Sequence, residues 1–170
     1  MNNILLTRSI ENKNYFLDRQ EVNLKEFIEK RIGLLKNSIL KLHKVELDLE
    51  NITMEIDRVG FESILVNLLE NATKYSESDS SIKIQLVENG DGVLFQIIDE
   101  GIGIPREKRE SVFSKFYREE NEMTRKSKGT GLGLSIVKGI LDNHNAIIAV
   151  DNDNNNTSFV IDFPKIVKEH

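Results

Sequence analysis

Two asparagines and a lysine lie at helical spacing in residues 67–75, Asn-Leu-Leu-Glu-Asn-Ala-Thr-Lys-Tyr. Asn67 and Asn71 are four residues apart, so in a helix both project from one face, with Lys74 about a turn further on. An amide oxygen is a hard neutral ligand of the kind that Mg²⁺ accepts when phosphates supply its other ligands. Asn71 is therefore a candidate Mg²⁺ ligand. Amides that only satisfy neighbouring backbone groups would give the same pattern, and both interpretations stay open.

A second candidate site begins where an apolar run ends, at residues 99–105, Asp-Glu-Gly-Ile-Gly-Ile-Pro. An ionised aspartate accepts hydrogen bonds and cannot donate them, so Asp99 suits the exocyclic amine of adenine. Gly101 and Gly103 would let a planar ring approach the backbone. Taken alone, the pattern Asp-x-Gly-x-Gly is also typical of an ordinary turn.

Glycines at alternate positions, Gly129, Gly131 and Gly133, lead directly into a predicted helix. Successive backbone amides can converge there, and the helix N-terminus adds a partial positive charge, so the segment is typical of a phosphate site. A dinucleotide-binding fingerprint would instead follow a strand in a parallel β-α-β unit. Because this segment follows a charged loop, we reject that interpretation.

The loop before these glycines contains aromatic and basic residues. Phe113 and Phe116 are three residues apart and are predicted to share one face of a short helix, where they would form a docking surface or pin the loop to its own domain. Arg125, Lys126 and Lys128 follow them. These side chains could neutralise terminal phosphates or could simply be solvated.

The elements that must position these segments can be read from hydrophobic periodicity. Mixed helices and antiparallel strands predict an α+β fold, an α/β sandwich with the helices on one face of the sheet. The predicted helices span residues 22–43, 57–75 and 132–143, with a short helical segment at 107–116 in the long loop 99–133; the predicted strands span residues 45–50, 82–87, 93–98, 146–150 and 158–163.

Composition limits the class of protein. The chain has 170 residues, 39% of them hydrophobic, which suits one compact domain. A net charge of −5 gives no field that would attract nucleic acid or an anionic membrane. The absence of cysteine excludes disulfides and thiolate metal sites. We expect a cytoplasmic, soluble domain that contacts neither nucleic acid nor a membrane, since no apolar run approaches the roughly 20 residues that span a bilayer.

The four segments, in order, resemble the signature boxes of the histidine kinase catalytic domain, in the wider GHKL ATPase superfamily. NLLENATKY is similar to the asparagine box, DEGIGIP to the first glycine box, FSKFYR to the phenylalanine box and GTGLGLSIVKGI to the second glycine box. The resemblance covers residues 22–164 and implies the Bergerat fold, with a mixed, largely antiparallel sheet and a long ATP lid. It suggests a remnant of the dimerisation helix and linker at 1–20, the catalytic domain at 21–166 and a tail at 167–170.

The resemblance also implies roles for single residues. Asn67, Asn71 and Lys74 would be catalytic, with Asn71 holding Mg²⁺, and Asp99 would hold the adenine amine. Phe113 and Phe116 would dock on the dimerisation domain. The implied ATP-binding set comprises Asn67, Asn71, Lys74, Tyr75, Asp99, Gly101, Gly103, Ile104, Tyr117, Arg118, Lys128, Gly129, Thr130, Gly131, Leu132, Gly133, Leu134 and Thr157.

The implied function is to bind Mg-ATP and present the γ-phosphate to a histidine on the dimerisation domain of a two-component sensor kinase, with ATP and ADP as the nucleotide ligands. That phosphate would pass to the receiver domain of a response regulator, and the parent kinase would be anchored in the cell membrane. His43, His144 and His170 lack the phosphoacceptor setting, so the accepting histidine is expected on the dimerisation domain. Two alternatives stay open, an anti-sigma-factor-type serine kinase and a non-catalytic nucleotide-binding module.

The family pattern is broken at two places. Asn145 and Ala146 stand where the family commonly has two glycines after a histidine, and Asn156 stands for the glycine before a threonine. Both departures concern strand edges, so we expect little effect on nucleotide binding.

Overall fold

A computed structural model of the protein describes residues 17–117, 130–153 and 156–164. Three α-helices and seven strands, with two short 3₁₀ turns, make up this part of the chain. In order they are β1 (Arg19–Asn23), α1 (Leu24–Leu35), β2 (Lys44–Leu49), β3 (Thr53–Asp57), α2 (Arg58–Tyr75), β4 (Ser81–Asn89), β5 (Gly92–Asp99), the 3₁₀ turns Arg106–Lys108 and Ser111–Phe113, α3 (Gly133–Asn143), β6 (Ile147–Asp153) and β7 (Asn156–Phe163).

Five strands form the main sheet in the order β2-β4-β5-β7-β6, and β1 pairs with β3 in a separate two-stranded sheet. Strand β2 runs parallel to β4, whereas every other pairing in the main sheet is antiparallel. The parallel pair needs a crossover, and α2 lies on that crossover. The predicted sandwich with a mixed, largely antiparallel sheet is confirmed.

The core lies between the helices and one face of the sheet. Strand β5 alternates strictly between buried and half-buried residues, as a strand with one covered face does. Phe61 of α2 is fully buried, and its ring centroid is 5.5 Å from that of Phe95 and 6.2 Å from that of Phe163. These aromatic contacts fix α2 across the middle strands, which determines where its polar face points.

Helix α2 begins as the sequence predicted, because Asp57 caps it. The Asp57 carboxylate accepts hydrogen bonds from the amides of Val59 and Gly60, which the helix itself leaves unpaired. At the other end the helix stops at Ser76, whose backbone is extended and whose hydroxyl donates to the Ala72 carbonyl at 2.7 Å. Both ends are thus defined by side chains.

Three parts of the secondary structure differ from the prediction. The helix predicted over residues 22–43 ends at Leu35, and turns follow to residue 43. Leu40 lies in one of these turns and is buried in the core. An apolar residue at helical spacing therefore packs in the core here although it is not in a helix. The helix predicted over residues 107–116 is two 3₁₀ turns. The pair β1 and β3 was not predicted, since each strand has only five residues.

His144 is a structural histidine at the end of α3. Its Nδ1 is 2.8 Å from the Ile140 carbonyl, and its Nε2 accepts from the Asp57 amide at 3.3 Å. Burial lowers the pKa of His144 below its usual value, so the ring is neutral and donates from Nδ1. The next residue, Asn145, has φ 54°, a left-handed conformation that asparagine tolerates in place of the family's glycine. Among the helices in the described residues, none is long and apolar enough to cross a membrane.

Candidate functional site

Helix α2 presents a polar face near its C-terminal end. Leu68, Leu69 and Ala72 are fully buried, whereas Asn71 on the other side is half-buried. Within the described residues the Asn71 side chain has no hydrogen-bond partner, so its amide is available to a ligand. Lys74 lies a turn further on, with its Nζ 5.0 Å from the centre of the Tyr75 ring. The predicted grouping on one helix face is present.

Asn67 has a different environment from Asn71. It is only 8% exposed, and its Nδ2 donates to the Ser63 carbonyl at 2.8 Å and lies 3.3 Å from the Ser63 hydroxyl. Its Oδ1 faces the start of α3, where a Cβ added to Gly133 would lie 2.9 Å from that oxygen. A larger residue at this position would have to displace the Asn67 amide, so Asn67 packs α2 closely against the first turn of α3.

Asp99 ends strand β5 in an almost fully buried position, with 1% of its surface exposed. Its Oδ1 is buried and accepts no hydrogen bond from the described residues. Burial raises the pKa of Asp99 to about 7, and a backbone hydrogen bond from Gly101 opposes that shift in part. Thr157, itself buried, is the register partner of Asp99 on β7. A buried carboxyl oxygen without a donor is unusual and indicates a ligand.

The segment after Asp99 is joined to the end of α2. Gly101 forms an isolated antiparallel bridge with Ser76. A Cβ added to Gly101 would overlap the Asp99 carboxylate and would lie 2.8 Å from the Tyr75 carbonyl. The C-terminal end of the asparagine box and the start of the first glycine box are therefore in direct backbone contact, which a side chain at position 101 would disturb.

The second glycine box is joined to the residues that precede the segment 118–129, which lies outside the described residues and is called the lid below. Gly131 has φ +69°, and a Cβ there would lie 2.9 Å from the Phe116 Cα. The Phe116 amide donates to the Gly131 carbonyl at 3.0 Å. Phe116 itself has φ 61°, which is uncommon for an aromatic residue. Phe116 and Gly131, which lie on either side of the lid, are therefore joined by a backbone hydrogen bond just before α3.

The two phenylalanines do not share a helix face, so that prediction was wrong. Phe113 ends a 3₁₀ turn and points inward, with its ring centroid 6.3 Å from that of Phe159 in an edge-to-face contact. Phe116 lies beyond the turn and is 72% exposed. Phe113 therefore pins the loop to its own domain, and Phe116 is available for docking.

The remaining predicted site residues fall into two groups. Leu132 is buried, Tyr117 and Leu134 are half-buried against the core, and Thr130 is exposed. The other group lies outside the described residues and comprises Arg118, Arg125, Lys126, Lys128 and Gly129.

Sequence reasoning missed one residue beside the first glycine box. Asn152 in β6 makes two hydrogen bonds to the backbone of Ile104, from 48 positions away in the chain. No local pattern marks Asn152, because it lies in a run of asparagines and aspartates that is typical of a turn.

Comparison with known proteins is consistent with this arrangement. Residues 56–166 match the model of the family described as histidine kinase-, DNA gyrase B- and HSP90-like ATPases. The chain is 35% identical over 153 residues to the signal transduction histidine-protein kinase ArlS of Staphylococcus haemolyticus, a match that covers 86% of this chain and 33% of ArlS. It thus spans about a third of that relative.

Two solved structures are also similar. The catalytic domain of histidine kinase ThkA is 30% identical, with a TM-score of 0.77 over 87% of this chain and 96% of that one. ThkA in complex with the response regulator protein TrrA is 29% identical, with a TM-score of 0.75 over 96% of this chain and 47% of that one. This chain belongs to the histidine kinase-, DNA gyrase B- and HSP90-like ATPase family, and within it to the catalytic domains of histidine kinases.

Proposed function

We propose that this chain binds ATP with Mg²⁺ and presents the γ-phosphate to a histidine on the dimerisation domain of a two-component sensor kinase. The observation that carries the proposal is the buried Asp99 oxygen without a donor at the end of β5. Adenine has an exocyclic amine that supplies such a donor, whereas guanine has a carbonyl at the same ring position and would face the carboxylate with another acceptor. Asp99 therefore favours adenine.

The phosphates would lie toward α2 and α3. The N-terminus of α3, an 11-residue helix, presents unpaired amides and a partial positive charge. Lys74 can add a full charge beside the phosphates. Asn71, whose amide has no partner among the described residues, fits as the single protein ligand of Mg²⁺, and the bound ion would neutralise phosphate charge.

The residues of this chain would position the nucleotide and would not activate water. Phosphoryl transfer depends on positioning and charge neutralisation more than on a protein base, and a neutral imidazole is already a competent nucleophile. Asn67 and Asn71 carry amide groups, and an amide cannot act as the base that takes a proton from water. Asn67, which donates to Ser63 and packs against Gly133, fits a role in holding the phosphate-binding helix beside the metal ligand.

The proposed partners follow from the exposed end of the lid and from the relatives. Phe116, at 72% exposure, would contact the dimerisation domain that carries the histidine. A response regulator would then receive the phosphate, and ThkA was solved in complex with such a protein. We place this domain on the cytoplasmic side of a membrane-anchored parent kinase.

Calorimetric titration with ATP and ADP, with and without Mg²⁺, tests the nucleotide site. We expect the wild type to bind both. Asp99→Ala should lose at least about tenfold in affinity for both nucleotides, because the adenine amine then loses a charged acceptor. Asn71→Ala should retain metal-free binding but lose the gain that Mg²⁺ gives. Asp91→Ala, in the exposed β4–β5 turn, is the control and should bind as the wild type does.

Two results would contradict the proposal. One is a folded wild type that binds neither nucleotide. The other is an Asn71→Ala variant whose affinity for ATP still rises on adding Mg²⁺ by the wild-type factor, which would assign the metal to another residue.

A further inference from the structure

The loop with Gly103 and Ile104 has no regular secondary structure, and a side chain of strand β6 holds it. Asn152 donates from Nδ2 to the Ile104 carbonyl at 2.6 Å, and its Oδ1 accepts from the Ile104 amide at 3.4 Å. The Asn152 amide thus bonds to both the carbonyl and the N–H of Ile104, as a residue of a neighbouring antiparallel strand would. Because β6 is an edge strand, the Asn152 amide extends the pairing of the sheet to this loop.

Gly103 is matched to Asn152. Its φ of +76° is a conformation that side chains rarely adopt, and a Cβ there would lie 3.1 Å from the Asn152 Nδ2. The backbone angle favours glycine at this position, and a larger residue would also press on the Asn152 amide. Neither feature involves a nucleotide.

Arg109 adds a second connection to the same loop. Its Nε donates to the Ile104 carbonyl at 3.3 Å, and its Nη1 lies 3.5 Å from the Val150 carbonyl of β6. The Ile104 carbonyl thus accepts from two side chains, one for each lone pair. Ile104 also packs against the buried core. Asn152 and Arg109 thus hold the backbone of Ile104, and the residue also packs against the core.

We propose that Asn152 is a positioning residue for base recognition. By holding the backbone of Gly103 and Ile104 against the edge of the sheet, it would keep one wall of the base pocket ordered before the base meets Asp99. A loop that is already ordered does not have to lose conformational freedom on binding, and this raises affinity. The inference rests on the proposed function, since it requires that the base binds beside Asp99.

The test compares Asn152→Ala with the matched control Asn143→Ala. Asn143 donates from Nδ2 to the Gly139 carbonyl at 2.8 Å at the exposed end of α3, so its variant also loses a side-chain bond to a backbone carbonyl. We expect Asn152→Ala to weaken ATP and ADP binding by the same factor, about tenfold, because both share the base. The preference for ATP over GTP should also fall, because a loose wall lets the base shift. Asn143→Ala should change neither.

A second variant and a second measurement keep the test independent of folding. Asn152→Asp preserves size but replaces the donor with an oxygen that faces the Ile104 carbonyl, and we expect the same loss of affinity. Hydrogen exchange of the Ile104 amide in the nucleotide-free protein should accelerate in Asn152→Ala and stay unchanged in Asn143→Ala. Thermal unfolding and far-UV circular dichroism report whether each variant is folded.

The outcomes separate this inference from the proposed function. If the wild type binds no nucleotide, the proposed function fails and the inference fails with it. If the wild type binds ATP and both folded Asn152 variants bind with the same affinity and the same preference over GTP, only the inference is overturned. If affinity falls only in proportion to the unfolded fraction, Asn152 has a structural role alone and the inference is likewise overturned.

Discussion

The burial of Asp99 lowers the free energy of unfolding of the domain when no ligand is bound. The residue is 1% exposed and one of its carboxyl oxygens has no donor among the described residues, so ionising the carboxyl group is unfavourable when no ligand is bound. A chain selected only for stability would have an apolar or amide side chain here. The carboxylate therefore indicates a function that uses the unpaired oxygen, and the cost should be measurable when no ligand is bound.

Asp99→Asn should stabilise the nucleotide-free domain at alkaline pH. The pKa of Asp99 is about 7 in the folded state against 3.8 for the unperturbed group. Between these values the folded state holds a proton that the unfolded state has released, so this group makes the free energy of unfolding fall as pH rises. At pH 8 we expect the variant to be more stable than the wild type by on the order of 1–3 kcal/mol, with the difference lost by about pH 4.

Urea unfolding at pH 4.5, 6 and 8 measures this difference. Asp91→Asn, in the exposed turn between β4 and β5, is the matched control and should show no such trend. An Asp99→Asn variant that is equally destabilised at all three values would mean that Asp99 is satisfied by the protein itself.

At the level of elements, the start of α3 is held by two close approaches. Gly133 lies against Asn67 of α2, and Gly131 lies against Phe116 at the start of the lid. The contact at Gly131 needs a glycine, because the neighbouring atoms are backbone and φ is positive, whereas a Cβ at Gly133 would have to displace the Asn67 amide. The helix that would receive the phosphates is therefore fixed on one side by α2 and on the other by the lid.

Gly131→Ala should disrupt the junction between the lid and α3. The new Cβ would lie 2.9 Å from the Phe116 Cα, and the φ of +69° would become strained. We expect a loss of about 1–2 kcal/mol in stability and at least about tenfold weaker ATP binding, because the Phe116–Gly131 hydrogen bond cannot keep its geometry.

Gly33→Ala is the matched control for that variant. Gly33 lies in α1, where an added Cβ meets nothing within 4 Å, so alanine should raise stability by about 0.5–1 kcal/mol. ATP binding should not change. Chemical unfolding measures the stability of each variant, and calorimetry measures its ATP affinity. A Gly131→Ala variant with the stability and ATP affinity of the wild type would show that the lid can move away from residue 131 without cost.

Elements whose pattern is long and regular could be predicted from sequence, and elements that depend on tertiary contacts could not. Helix α2 was predicted because its apolar face is a local signal, and the structure adds the Asp57 cap at its start. The end of α1 at Leu35 was missed because Leu40, which lies in a turn, is an apolar residue at helical spacing from the residues before it. The candidate site residues of the four boxes were proposed from residue type and order, and their roles stay predictions. The bonds between Asn152 and Ile104 join positions 48 apart, and no spacing rule predicts such a pair.

For the whole molecule, the proposed activity needs a second domain. Supplied with Mg-ATP and the dimerisation domain of its own kinase, this chain should transfer phosphate that is labile in acid and stable in alkali, as phosphohistidine is. Transfer should be lost in Asn71→Ala, and a dimerisation domain with its acceptor histidine replaced by glutamine should remain unlabelled. Labelling with radioactive ATP followed by acid and alkali treatment measures this.

The same measurement separates the alternatives. Phosphate that is stable in acid and labile in alkali would indicate a serine acceptor and an anti-sigma-factor-type kinase. Tight ATP binding without any transfer would indicate a nucleotide-binding module that acts through contacts alone. The similarity to ArlS and ThkA supports transfer to histidine.

The parallel pairing of β2 with β4 has a consequence for folding kinetics. These strands pair Lys44 with Ser81 and Leu49 with Leu86, so a contact between segments 37 residues apart must close around β3 and α2. Such non-local closure is slow compared with hairpin formation. Because α2 carries Asn67 and Asn71 and lies inside that closed loop, the position of both asparagines against the sheet depends on this pairing. Intermediates that lack this pairing should bind no ATP.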